Sequence, residues 1–401
     1  MEKVAILTHS IAYNYGANLQ ALSTACYLRN QGYEPIFLQW DSYLSGNTPS
    51  DQVEIHRTFI KRAGFTMSEP LVSDEDFANF IKKEEIRRIV VGSDCVLTYE
   101  HHSFPFMLTR KGIVCIKNSE DYEFPNPFWL TFLNDDYKIK RCLLSASCGG
   151  RTSMKIKDGA VRSRMTSLLD NFDYISIRDT FTLRFVKELL PHRRDIKLTP
   201  DPVFGFNKNF PGVPTEKEIR AKFNIEGKYY LICFYRSNWP SQGWANKLME
   251  EAHKHGVKCI SIPMPQGGRN SNFDQDIELP LDPLDWYALI KYSNAYIGNN
   301  MHPMIVAIHN NVPFFTYNIH GRSILHGRIQ LIKTSKEYDL ISRFGLQRNL
   351  APQPFLRFIS PKSVVKHIIS FDIEKCKKAS SFLQKEYDNM MSQIVHKLED
   401  N

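Results

Sequence analysis

Val4-Ala5-Ile6-Leu7-Thr8 is followed by Asn14-Tyr15-Gly16-Ala17-Asn18-Leu19-Gln20 and, a helix length later, by Glu34-Pro35-Ile36-Phe37-Leu38-Gln39. The first stretch is a short apolar run that ends in polar residues, as a buried parallel strand reads. From Ala17 to Asn30 the apolar residues Leu19, Leu22, Cys26 and Leu28 recur at helical spacing, and Gly32 stops the pattern. Glu34 to Gln39 reads as the next strand. Parallel strands need a crossover, and a helix is the usual one, so this strand-helix-strand order predicts a parallel sheet.

The alternation continues. Strands are expected at Ile86–Val91, Arg141–Ala146 and Tyr174–Ile177, and helices at Val161–Leu169 and Thr180–Leu190. Residues Gly205 to Gly227 are rich in Pro, Gly, Asn and charge, which reads as a linker with a short helix. A second alternating set follows, with strands at Tyr229–Tyr235, Val257–Pro263, Ala295–Ile297 and Pro313–Tyr317. Its helices are expected at Gln242–His255, Leu284–Tyr292 and Met301–Asn310. The fold class is therefore α/β, with two Rossmann-like doubly wound domains facing across a cleft. The expected bounds are 1–205, 206–360 and a helical segment 361–401 packing across both.

At 401 residues the chain is long for one core, which supports two domains. The hydrophobic fraction of 42% and charged fraction of 23% exclude a disordered chain. Aromatics at 12% suit large cores or a sugar-sized cleft. No apolar run is long enough for a bilayer, and Met1-Glu2-Lys3 leads into Val4 without a signal-peptide pattern. The 8 cysteines contain no C-x-x-C pair, which argues against zinc or redox motifs and for a reducing, cytoplasmic setting. The net charge of +8 is spread along the chain, with Lys82-Lys83 and Arg87-Arg88 as short runs. It reads mostly as solvated surface, with a share for an anion-binding cleft and for contact with an anionic membrane. No nucleic-acid motif is present.

In open parallel sheets, ligands sit beyond the carboxyl ends of the strands. Four features stand at such places. Gly16 allows a tight turn at a helix start, where free N–H groups suit an anion or a sugar hydroxyl, or it is a plain strand-helix turn. Asp94, after Ile89-Val90-Val91, is a proton acceptor for an attacking hydroxyl or a helix cap. His302, in Gly298-Asn299-Asn300-Met301-His302-Pro303-Met304, falls in a first helical turn, as a proton donor, a phosphate partner or a structural hydrogen-bonder. His309 in the same helix reads as core or surface. Arg178, Arg236 and Arg322 follow strands, and guanidinium groups bind carboxylate and phosphate bidentately, though each alone is an ordinary ion-pair partner.

Together these segments resemble the polysaccharide pyruvyl transferase family. The matching pieces are Val4 to Thr8 with Asn14 to Gln20, Gly92-Ser93-Asp94, Asn126-Pro127-Phe128-Trp129-Leu130 and Leu144-Ser145-Ala146-Ser147-Cys148-Gly149. Ser176-Ile177-Arg178-Asp179, Asp201-Pro202 and Met301-His302 follow in order. The chain departs at Cys95 and Leu97, where the family commonly has Gln and Trp, and at Asn300, where some members have Arg. Residues of about 98–125 look inserted, as a lid, an acceptor-recognition loop or a plain surface excursion, and hold His101, His102, Phe104, Phe106, Tyr122 and Phe124.

The resemblance implies a GT-B-like fold, phosphoenolpyruvate as co-substrate and no required metal or other cofactor. It implies transfer of the pyruvyl unit to a hexose of a lipid-linked capsular or exopolysaccharide repeat unit, galactose before mannose, as a ketal with release of phosphate. His302 becomes the catalytic or donor-binding residue and Asp94 the base toward the sugar. Arg236, Arg322, Arg178 and Asn300 are the expected donor contacts, with the C-terminal domain as the donor side. Asn14, Tyr15, Asn18, Gln20 and Ser93 are the expected acceptor contacts on the N-terminal side. Two other readings stay open. One is a sugar-nucleotide glycosyltransferase, for which Gly267-Gly268-Arg269 is a faint phosphate loop. The other is a glycan-binding protein without turnover.

Overall fold

Alternate residues of β1 (Glu2–Leu7) are buried on opposite sides, Val4 and Ile6 in one core and Ala5 and Leu7 in another, as a strand covered on both faces requires. The computed structural model describes the chain apart from residues 41–47, 100–105, 110–111, 116–119, 134–137, 150–155, 157, 235–239, 268–270, 319–322, 325–328, 353–358 and 401. After β1 come α1 (Tyr15–Asn30), β2 (Tyr33–Phe37), α2 (Ser50–Arg62), β3 (Thr66–Met67), α3 (Asp74–Lys83) and β4 (Arg88–Val91). A detached antiparallel hairpin, β5 (Phe106–Thr109) with β6 (Gly112–Cys115), occupies the inserted stretch. Then follow β7 (Lys140–Ala146), α4 (Gly159–Asp170), β8 (Tyr174–Ile177), α5 (Thr180–Leu189) and β9 (Lys197–Leu198). The first sheet is parallel throughout, in the order β3-β2-β1-β4-β7-β8-β9.

The connection carries α6 (Phe206–Asn209) and α7 (Glu216–Lys222). The second lobe runs β10 (Lys228–Cys233), α8 (Gln242–His253), β11 (Val257–Ser261), β12 (Gln275–Asp276), α9 (Pro283–Lys291), β13 (Ala295–Gly298), α10 (Met301–His309) and β14 (Phe314–Asn318). Short strands β15 (Ser323–Ile324) and β16 (Ile329–Gln330) pair with each other, and α11 (Lys336–Ser342), β17 (Leu350–Pro352), α12 (Pro361–Ile369) and α13 (Ile373–Glu399) complete it. The second sheet is also parallel, in the order β12-β11-β10-β13-β14-β17.

One apolar core is shared. Leu19, Leu22 and Ala25 of α1 meet Trp286 and Leu289 of α9, Met304 and Ile308 of α10, and Leu383, Met391 and Ile394 of α13. Each fully buried aliphatic side chain there contributes about 1.5–3 kcal/mol. Of the expected C-terminal helical segment, α12 lies on α8 and β14 of the second lobe, whereas α13 touches both β7 and α10. Two helices escaped the sequence pattern. The buried face of α2 is Gln52, His56, Phe59 and Ile60, half of it polar, and α3 buries only Phe77 and Ile81.

Each sheet starts in its middle, at β1 or β10, adds strands to one side and then crosses to the other. The crossing points, β1 beside β4 and β10 beside β13, are where ligands bind in such folds. The α1–α10 contact brings them together.

Candidate active site

The cluster assembles from the first turns after those strands. Asn14 caps α1, its side-chain oxygen accepting from the Gly16 and Ala17 amides at 3.0 and 3.4 Å. His302 is the second residue of α10, a helix whose first turn takes no side-chain cap. Its imidazole packs against α1 at Gly16, where a Cβ would fall 2.1 Å from the ring Cγ. Glycine there is a matter of space: any side chain displaces the histidine.

One turn along α1, Gln20 Nε2 stands 3.2 Å from His302 Nε2 and 2.5 Å from Asp201 Oδ2. The amide nitrogen donates to both, so the neutral ring accepts at Nε2 and carries its proton on Nδ1. Arg178 then bridges two carboxylates, with Nη1 2.9 Å from Asp201 Oδ2 and Nη2 2.7 Å from Asp94 Oδ1. The circle closes where Asp94 Oδ2 faces His302 Nε2 at 3.7 Å. Asp94 sits just past β4 at a φ of 71°, a left-handed conformation that aspartate tolerates better than most side chains. It caps no helix; its backbone bridges to Ala146, the last residue of β7.

Two carboxylates against one guanidinium leave this buried cluster one negative charge, and His302 is the group that can cancel it. Burial alone would raise the Asp94 carboxyl, but Arg178, and after it His302, Lys336 and His9, hold it well below the usual carboxylate range. Burial pushes the His302 imidazole below its ordinary value, assisted by Arg178 and Lys336 and opposed by Asp94 and Asp201. Its side chain keeps 12% exposure, so it is not wholly sealed from solvent. An adjoining cleft is lined by Arg178, Asp201, Met301, Lys336, Asp339 and Arg343 among others.

The sequence expectations meet this geometry unevenly. His302, Asp94, Gln20 and Arg178 come together in one place. Arg178 was expected as an open donor contact; instead both of its terminal nitrogens are held by carboxylates and its side chain is only 3% exposed. Tyr15 and Asn18, expected as acceptor contacts, are buried. Tyr15 stacks on Trp286 at 5.2 Å, and Asn18 donates to the Ser10 carbonyl while accepting from His56 Nδ1 at 2.6 Å. Gln20 and Ser93 are buried too, Gln20 serving the cluster and Ser93 accepting at its carbonyl from Thr8. The Asn14 carboxamide oxygen is taken by its cap. Asn300 directs its amide at Met264 Sδ, 3.2 Å away, beside the joint. Arg236, Arg322, Gly268, Arg269, His101, His102 and Phe104 lie outside the described residues. His309 is core, beneath Phe204 and α13. Sequence reasoning quoted Asp201 without giving it a task, and passed over Lys336 because no periodic pattern surrounds it.

A sequence model of the polysaccharide pyruvyl transferase family matches residues 14–321. No curated protein sequence matches the chain significantly. Among solved structures, UDP-GlcNAc 2-epimerase from Neisseria meningitidis, bound to UDP-GlcNAc, superposes with a TM-score of 0.60 at 10% identity over 100% of both chains. The UDP-GlcNAc 2-epimerase from Methanocaldococcus jannaschii gives 0.54 at 10% identity over 99% of this chain and 100% of that one. A glycosyltransferase from Rickettsia africae gives 0.51 at 10% identity, covering 100% of this chain and 99% of its own. At such identities the likeness concerns the fold, which is the GT-B arrangement of two facing lobes.

Proposed function

We propose, from the premise that the chain belongs to the polysaccharide pyruvyl transferase family, that it moves the pyruvyl unit of phosphoenolpyruvate onto two hydroxyls of a hexose and releases phosphate. The acceptor is a lipid-linked capsular or exopolysaccharide repeat unit, with galactose ahead of mannose. The observation that carries this reading is His302 at the meeting of the two crossing points, partly exposed and with two carboxylates close by.

The chemistry sets the tasks. A proton adds to the donor methylene, the cationic carbon takes one sugar hydroxyl, phosphate leaves, and the second hydroxyl closes the ketal. Of the two hydroxyl protons, one ends on the new methyl group and the other on phosphate. His302 carries the proton: neutral in the free protein, it gains basicity as the anionic donor arrives. A carboxyl held as low as Asp94 is a poor base, so we assign Asp94 a fixed negative charge facing the imidazolium and the developing cation. Arg178 keeps Asp94 and Asp201 in place. The reaction so written calls for no cofactor beyond the co-substrate.

No helix among the described residues is long and apolar enough to cross a membrane. We place the protein in the cytoplasm, where its positive charge suits visits to an anionic membrane that holds lipid-linked sugars. The test is phosphate release from phosphoenolpyruvate with a panel of galactose- and mannose-terminated lipid-linked acceptors. Release that vanishes in His302→Ala supports the reading. Release of nucleotide from a sugar nucleotide, with none of phosphate, replaces it by glycosyl transfer, and glycan binding without either product replaces it by a binding role.

A further inference from the structure

We propose that Lys336 of α11 is a binding residue for the phosphate of the anionic donor, delivered to the site by a clasp between Asp339 and Thr180. The proposal rests on the functional reading above and adds to it a residue beyond position 321, where the family match ends.

The placement is structural. α11 lies between β14 and β17 of the second lobe, yet through Asp339 it reaches the first. Asp339 Oδ1 accepts from Thr180 Oγ1 at 2.6 Å, and Oδ2 accepts from the Thr180 amide at 3.0 Å, at the start of α5. This carboxylate crosses the joint and fixes α11 over the cleft. Lys336, one turn earlier, lines that cleft beside Arg178, Asp201 and Met301, the neighbour of His302. Its charge reaches Asp94, Cys95 and His302, three groups on both sides of the joint.

The ammonium nonetheless has no ion-pair or hydrogen-bond partner among the described residues, whereas Lys222 at the joint's edge grips Asp285 at 2.6 Å. Arg178 is held by Asp94 and Asp201, so it brings no free charge to a ligand. Lys336 is half-buried, within the field of the cluster and uncommitted. A compact point charge on a flexible stem suits a rotating phosphate better than a planar carboxylate.

The experiment uses the full chain. Lys336→Met is expected to lower kcat/KM for phosphoenolpyruvate by about 10- to 100-fold, carried mainly by KM, as loss of a charged contact does. Inhibition by inorganic phosphate weakens by a similar factor, and Lys336→Arg restores most of both. Asp339→Asn, which loosens the clasp and leaves the ammonium intact, gives a smaller rise in donor KM. If donor KM and phosphate inhibition stay within twofold in Lys336→Met, the proposal is overturned. Calorimetric titration with inorganic phosphate separates this from the function itself. Wild-type binding that is weakened in Lys336→Met upholds the anion site even where no pyruvyl transfer is found. Equal binding to both proteins removes it.

Discussion

Helix α1 has a histidine against each flank, His302 beside Gly16 and Gln20 and His56 beside Asn18, and both stand where the lobes meet. His56 is finished. Its Nδ1 donates to Asn18, its Nε2 accepts from Gln52 at 2.9 Å, and Gln52 is tied to both the amide and the carbonyl of Leu281. Every partner is neutral, and burial, with Arg62 adding to it, takes the imidazole down to about 3. His302 is unfinished. It has one amide contact, a carboxylate just beyond bonding distance, a little solvent exposure and ionised groups around it. A histidine whose nitrogens are both satisfied by neutral groups holds a structure together; one left part-satisfied among charges is ready to change its proton count.

Substitution should separate the two most sharply. His302→Ala is expected to lower kcat by about 10²–10⁴-fold with little change in unfolding midpoint. His56→Ala should cost stability, about 1–3 kcal/mol for each amide group left unpaired, while kcat per folded molecule holds. Phosphate-release rates beside urea unfolding read both, and equal kcat losses would erase the distinction.

The charged surroundings of His302 are the next target. Arg178→Met leaves Asp94 and Asp201 buried without their cation, which should cost about 3–5 kcal/mol. The sign of the pH response should change as well. In the native protein the depressed Asp94 carboxyl contributes stability that is present above its unfolded pKa, near 3.9, and is lost as acid approaches the lower folded value. In the variant, burial dominates and raises the carboxyl, so acidification from pH 7 to 5 should stabilise it. A urea midpoint that falls over that interval as steeply as in wild type would contradict this.

Gly16→Ala tests position alone. The ring must move to admit a methyl, which should lower kcat by about 100-fold. Alanine meanwhile favours the helix by up to about 1 kcal/mol. Activity and intrinsic helix preference thus pull in opposite directions, and wild-type kcat in this variant would mean that the ring's place against α1 is immaterial.

The smallest effect belongs to His56 and pH. Its folded pKa of about 3 lies below the unfolded value of 6.5, so the unfolded chain binds the extra proton first and stability drains as pH falls from 6.5 towards 3. Between pH 7 and 5 the linkage amounts to about 2 kcal/mol. His56→Gln should remove that part of the slope, seen as a flatter plot of unfolding free energy against pH. An unchanged slope would show that His56 is not neutral in the fold.

The contrast also explains what the sequence could and could not tell. Short apolar runs announced β1, β4, β10 and β13, and the Gly, Asn and Asp residues that follow β4 and β13 announced the places of Asp94 and His302. Tertiary satisfaction is written nowhere locally. Asn18 and Gln20 read as acceptor contacts because such side chains are mostly exposed, yet a histidine or a carboxylate brought in from distant sequence makes their burial possible. The same blindness hid α2, whose inward face carries Gln52 and His56 among its apolar residues. Arg178 was legible as a strand-end guanidinium, but its two carboxylates come from the ends of other strands, a matter of topology. Lys336 belongs to a seven-residue helix placed by Asp339, with no periodicity to draw notice.

Helix α13 sets an order of events during synthesis. Its apolar face, from Cys376 to Leu398, covers β7 and β8 of the first lobe as well as α10 of the second. The first lobe therefore leaves the ribosome with one side of its sheet, including Cys142 and Tyr174, waiting for a segment made only after the whole second sheet. Vectorial folding, lobe by lobe, is interrupted here. The nascent protein must keep that surface from other chains until α13 arrives to seal it.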